Sequence, residues 1–178
     1  LTVAVHVPVI ESDLKLSEGR RNKFHETLVA GLAGAVGPDV TVVRAEEVRS
    51  ALAGKADLIG CRVESCMSRL ANALQADRVI IPRITVKDAV GGAAYKVSLT
   101  VFDRLGTELP ITARDGCGDD MEGCNLAKAL DSMKRATAGM AAEVVKPTTV
   151  ESKAAAAASA PVAAAPSASS SSPASMGS

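Results

Sequence analysis

Tryptophan is absent from the 178 residues, and the other aromatic side chains amount to two Phe and one Tyr. A core without large rings depends on Val, Leu, Ile and Ala. Fully burying one of the larger of these stabilises by only about 1.5–3 kcal/mol, so modest stability and added covalent restraint are expected. A surplus of one charge sign is lacking too: 20 Lys and Arg stand against 20 Asp and Glu. That balance exerts no long-range pull on nucleic acid or on an anionic membrane. No run of about twenty apolar residues occurs, so no transmembrane helix is expected. Histidine is limited to His6 and His25, and neither has a nucleophile at a telling spacing. Each therefore reads as structural or surface. The glycines form neither GxGxxG nor GxxxxGK[ST], so no phosphate cradle is indicated. No catalytic residue, cofactor site or metal site is assigned.

What is present is four cysteines in two short-range pairs, Cys61 with Cys66 in GCRVESC and Cys117 with Cys124 in GCGDDMEGC. With so few histidines, paired thiols read as disulfides before they read as a metal site. Disulfides imply an oxidising compartment, here a periplasm or a secreted space. Four residues separate Cys61 from Cys66, where a redox CxxC or a zinc knuckle has two. The first pair is expected to pin the start of a helix, with Cys66 in its first turn. A thiol activated by that helix terminus and a four-thiolate zinc site remain as alternatives. Between the second pair, Asp119, Asp120 and Glu122 raise the question of calcium, but their spacing does not match a calcium loop.

The last 28 residues, Glu151–Ser178, hold eleven Ala, nine Ser and three Pro. Such a stretch has too little side chain to offset the entropy of ordering. The expected division is a folded domain over 1–147 and a disordered linker or tail over 148–178. As a flexible tether, 28 residues reach on the order of 30 Å. The cysteines also imply export, so a removed signal, or a lipid-anchoring cysteine, is expected upstream of Leu1.

Periodicity supplies the elements. Thr2–Ile10 alternates, with Val3, Val5, Val7 and Val9 on one face, and is expected to be a single strand. Helical spacing marks Glu18–Leu32, Glu46–Leu52, Glu64–Gln75 and Asn125–Val145. Strands are expected at Asp39–Arg44, Ala76–Thr85, Ala94–Phe102 and Glu108–Arg114, with a short extended piece at Asp57–Gly60 and a turn at Gly91-Gly92. The block Val79–Ile81 suits a central strand covered on both faces. The order describes an α/β two-layer sandwich. Its mixed sheet of about five strands is parallel where helices intervene and antiparallel in the late meander.

The segment GCRVESCMSRLANALQADRVIIPRITV, followed by the strand pair around LTVFDRLGTEL, resembles the TolB amino-terminal-like and CsgG-like α/β domains of bacterial envelope proteins. The strand VAVHVPVI and the stretch VTVVRAEEVRSAL are similar as well, so the likeness spans about residues 2–145. It implies an anticodon-binding-like, TolB-type topology and a place in the periplasm, associated with the outer membrane. It implies other envelope proteins as partners, leaves homo-oligomerisation open, and carries over no catalytic residue. The expected function is a non-catalytic scaffold or protein-interaction domain, a free sheet edge being one candidate contact. The alternatives are a small-ligand or glycan-sensing envelope domain and, behind it, a thiol-redox enzyme.

Overall fold

The computed structural model describes residues 1–61, 63–119 and 122–147. The expected tail, 148–178, lies outside the described residues. Among the described residues six strands form one mixed sheet: β1 (Thr2–Val5), β2 (Val9–Ser12), β3 (Thr41–Val42), β4 (Arg78–Ala89), β5 (Gly92–Asp103) and β6 (Glu108–Cys117). Strand order is β3-β1-β4-β5-β6, with β2 beside the later half of β4. Pairing is parallel for β1–β3, β1–β4 and β2–β4, and antiparallel for β4–β5 and β5–β6. The fold is the mixed α/β sandwich that the pattern of elements requires.

Among the described residues five helices flank the sheet: α1 (Glu18–Ala33), α2 (Ala45–Leu52), α3 (Ala56–Ile59), α4 (Glu64–Ala73) and α5 (Leu126–Val144). Both long helices start on side-chain caps. Ser17 accepts the Arg20 amide and Asn125 accepts the Lys128 amide, satisfying first-turn donors. α1 and α5 lie against one face, where Phe24, Leu28, Leu32, Met133 and Met140 meet Val3, Val5, Ile80, Ile84 and Leu99. α2, α3 and α4 cover one end of the opposite face, burying Val48, Leu52, Met67 and Leu70 against Ala4, Val79 and Phe102. Val79 and Ile80 point to different cores and both are fully buried, as a central strand demands.

Three local readings need correction. Thr2–Ile10 is two strands rather than one. The pairings Val5–Ile80 and Val9–Arg83 leave His6, Val7 and Pro8 opposite only Ile81 and Pro82. One extra residue reverses the facing of all that follows. Val3 and Val5 enter the α1/α5 core, Val7 packs against the other core, and half-buried Ile10 takes the α1/α5-side place the alternation assigns to Val9, which is buried on the other side. Asp57–Gly60 is not extended: Ala56–Ile59 is one helical turn that buries Leu58. A four-residue turn lies below the length at which periodicity shows. α4 stops at Ala73, short of Gln75, because Gln75 adopts φ 50° and the Ala76 amide returns to the Ala71 carbonyl. This is a left-handed helix stop without the usual glycine to announce it.

Candidate functional site

The structure joins Cys61 to Cys66 and Cys117 to Cys124, each with a Cα–Cα distance of 5.9 Å. Cys61 is buried among the residues under α2–α4, its sulfur 3.8 Å from that of Met67, while Cys66 occupies the first turn of α4. The second bridge ties the end of β6 to the residue before the α5 cap. Its loop is stitched to the β4–β5 hairpin by the Gly123 amide donating to Val90 (3.0 Å) and the Cys124 amide to Ala93 (2.9 Å). A Cβ on Gly123 would stand 2.6 Å from the Gly92 carbonyl carbon, so only glycine fits that approach.

The two bridges pack against different cores, on opposite faces of the sheet. Among the described residues no three His, Cys, Asp or Glu side chains group as a metal site. Asp119 and Glu122 form a local turn, the Glu122 amide donating to Asp119 Oδ1 at 2.8 Å; Asp120 lies outside the described residues.

Both histidines are interior. His6 fills the break between β1 and β2, with Nδ1 2.8 Å from the Val7 carbonyl and Nε2 3.2 Å from that of Leu58. A neutral ring donates to only one of these oxygens. Burial lowers its pKa against the pull of both carbonyls. His25, on α1, donates from Nε2 to the Val5 carbonyl at 2.8 Å. Burial, opposed by that carbonyl and reinforced by Arg49, lowers its pKa from 6.5 to about 4. The two imidazoles grip the end of β1 from the two sides of the sheet.

Arg78, which no sequence motif singles out, is 1% exposed at the start of β4. Its guanidinium donates to the carbonyls of Val144 and Lys146. A cation there satisfies the acceptors a helix leaves open at its C-terminus and complements the helix dipole. The signal that could have found it is an Arg opening an otherwise apolar strand block.

Among the described residues, the rest of the sheet face that carries α2–α4 has no helix over it. Register sets Arg83, Ser98 and Arg114 in one row and Thr85, Lys96 and Gly116 in the next. Arg83, Lys96 and Arg114 are exposed, and Thr85 and Ser98 half-buried. A shallow depression of about 460 Å³ lies over these rows, with Lys96, Ser98, Arg114, Asp115 and Gly118 in its lining. At one end the face passes under α4. At the other, Gly118 closes on β5, where an added Cβ would come within 3.2 Å of the Ala94 Cα. The free edge beside it is blunted. Pro110 removes one donor of β6, and the Gly116 amide is taken by Asp115 Oδ1 at 2.6 Å.

No protein-family model matches the chain, and no curated protein matches it. Solved structures do share its fold. The lipoprotein GNA1162 from Neisseria meningitidis is 18% identical, with a TM-score of 0.51, over 82% of this chain and 99% of that one. Below 0.5 stand the LpoB C-terminal domain from Salmonella enterica (15% identity, TM-score 0.46, 66% and 82% covered) and the PelC dodecamer from Paraburkholderia phytofirmans (14%, 0.47, 78% and 86%). At these identities the likeness is one of fold. It lies with GNA1162 and does not carry the narrower TolB or CsgG likeness of the cysteine segment.

Proposed function

We propose that this chain is a non-catalytic, envelope-located interaction domain, with residues 1–147 as the folded body and 148–178 as a tether. The observation that carries the reading is the uncovered polar face of β4–β5–β6. It is an open surface on a sheet whose other face packs against α1 and α5. Open surfaces with charged and hydroxyl groups suit docking better than the enclosed pockets in which small ligands are held. An oxidising location is supported by the paired cysteines. A place at the envelope is supported by the fold shared with a lipoprotein. A thiol-redox role is disfavoured because neither pair has the two-residue spacing of a redox CxxC, and Cys61, 2% exposed, cannot serve as the attacked sulfur of its bridge.

The test is site-specific photo-crosslinking of the full chain exported to the periplasm of a Gram-negative host. A crosslinker at Ser98 is expected to give discrete protein adducts that the same group at Arg21, on the outer side of α1, does not. Equal patterns from both positions, or none from either, would remove the interaction reading. Thiol trapping of the exported protein without reductant is expected to leave all four cysteines unlabelled.

A further inference from the structure

We propose that the uncovered β4–β5–β6 face docks an acidic polypeptide segment, its carboxylates held by Arg83, Lys96 and Arg114. This rests on the interaction reading above and adds the chemistry of the partner. The whole chain is neutral, yet on β4, β5 and β6 the two rows hold three cations and no carboxylate, and the Asp115 carboxylate beside them is taken by Arg135. Glu11, which pairs with Thr85 in register, is the adjoining acid on β2, and it already meets Arg83 at 3.7 Å.

Several surface cations elsewhere have acidic partners, among them Arg69 with Asp57, Arg135 with Asp115 and Arg49 with Glu26; others, such as Arg20 and Arg21, are single charges on a helix and not part of a row shared by three strands. Among the described residues Lys96 and Arg114 have no ion-pair partner and stand over a shared depression. Arg83 and Arg114 sit two strands apart in one row, about 10 Å at ordinary strand spacing. Each guanidinium offers a planar fork to a carboxylate, and the hydroxyls of Ser98 between them and Thr85 in the next row can serve a peptide's carbonyls and amides.

Among linear anions a polypeptide fits better than a glycan. The three aromatic residues are buried, Phe24 at 0%, Tyr95 at 4% and Phe102 at 5% exposed, so this face has no ring on which a sugar could stack.

The experiment measures binding of fluorescently labelled poly-L-glutamate to the full chain by anisotropy at two salt concentrations, with sodium alginate as the glycan probe. In K96E/R114E, affinity for poly-L-glutamate is expected to fall on the order of tenfold or more. R20E/R21E, an equal charge change on the opposite side of the molecule, is expected to stay within about twofold. Circular dichroism checks that both variants keep the wild-type fold, and K96Q/R114Q replaces the first variant if it does not.

Equal losses in the two variants, an unchanged affinity in K96E/R114E, or wild-type binding to alginate but not to poly-L-glutamate would each overturn the proposal. Ser98 crosslinks that persist in any of these cases would leave the interaction reading standing and remove only its acidic chemistry.

Discussion

At the scale of single residues, Arg78 and His25 show how polar groups are kept inside a core short of aromatics. Arg78 satisfies carbonyls at the end of α5, so its removal strands buried acceptors as well as losing its own bonds. Arg78→Met is expected to destabilise by about 2–3 kcal/mol, read as a lower urea midpoint with an unchanged m-value. His25 has a folded pKa near 4 against 6.5. The unfolded chain therefore binds more protons between these values, and stability falls as pH drops through that window. The slope is about 1.4 kcal/mol per pH unit and the total roughly 3 kcal/mol. His25→Gln keeps an amide donor for the Val5 carbonyl and cannot titrate. Urea unfolding at pH 7.5 and 4.5 is expected to differ less in that variant, with a residual slope from His6, whose shift has the same sign.

Among the elements, the contact of α1 with α5 depends on one glycine. A Cβ on Gly31 would lie 2.3 Å from Thr137 Oγ1 and 2.9 Å from the Lys134 Cα. Gly31→Ala should therefore destabilise by about 1–3 kcal/mol through forced separation, although alanine favours helices. Gly139, on α5 with nothing near its missing Cβ, provides the contrast. There the same substitution is expected to stabilise by roughly 0.5–1 kcal/mol. Thermal unfolding of both variants separates propensity from packing; a stabilised Gly31→Ala would mean that the helices do not cross as closely as described.

For the molecule as a whole, the two cystines close short loops on opposite faces of the sheet. Cys→Ser replacement of either pair is expected to cost about 2 kcal/mol, a fall of roughly 5–10 °C in the thermal midpoint. Reductant should lower the wild-type midpoint and leave the doubly replaced chain unchanged. Ending the chain at Pro147 is expected to move the midpoint by no more than about 1 °C, since Ala/Ser/Pro sequence adds little packing. Ending it at Val144 should lower the midpoint, because Arg78 then loses the Lys146 carbonyl.

Much of this fold is legible in the residues alone. Helices α1 and α5 show their apolar spacing. The block Val79–Ile81 marks the central strand, and the alternation in Ala94–Phe102 marks β5, because each pattern repeats with the period of its own backbone. The parallel-then-antiparallel order follows from where helices intervene. Other features depend on partners far along the chain. The split of Thr2–Ile10 arises from register against β4, 75 residues from β1 at Val3–Arg78. The αL stop at Gln75 and the turn at Ala56–Ile59 have no periodic signal. The role of Arg78 exists only because α5 ends beside β4. The candidate site belongs to this second group. Arg83, Lys96 and Arg114 are ordinary strand residues in sequence, and only the pairing of three strands sets them side by side. Short-range pattern therefore determines which elements form and which face of each is apolar, since backbone period is a local property. Which polar faces remain uncovered, and which charges then share them, is decided by long-range packing.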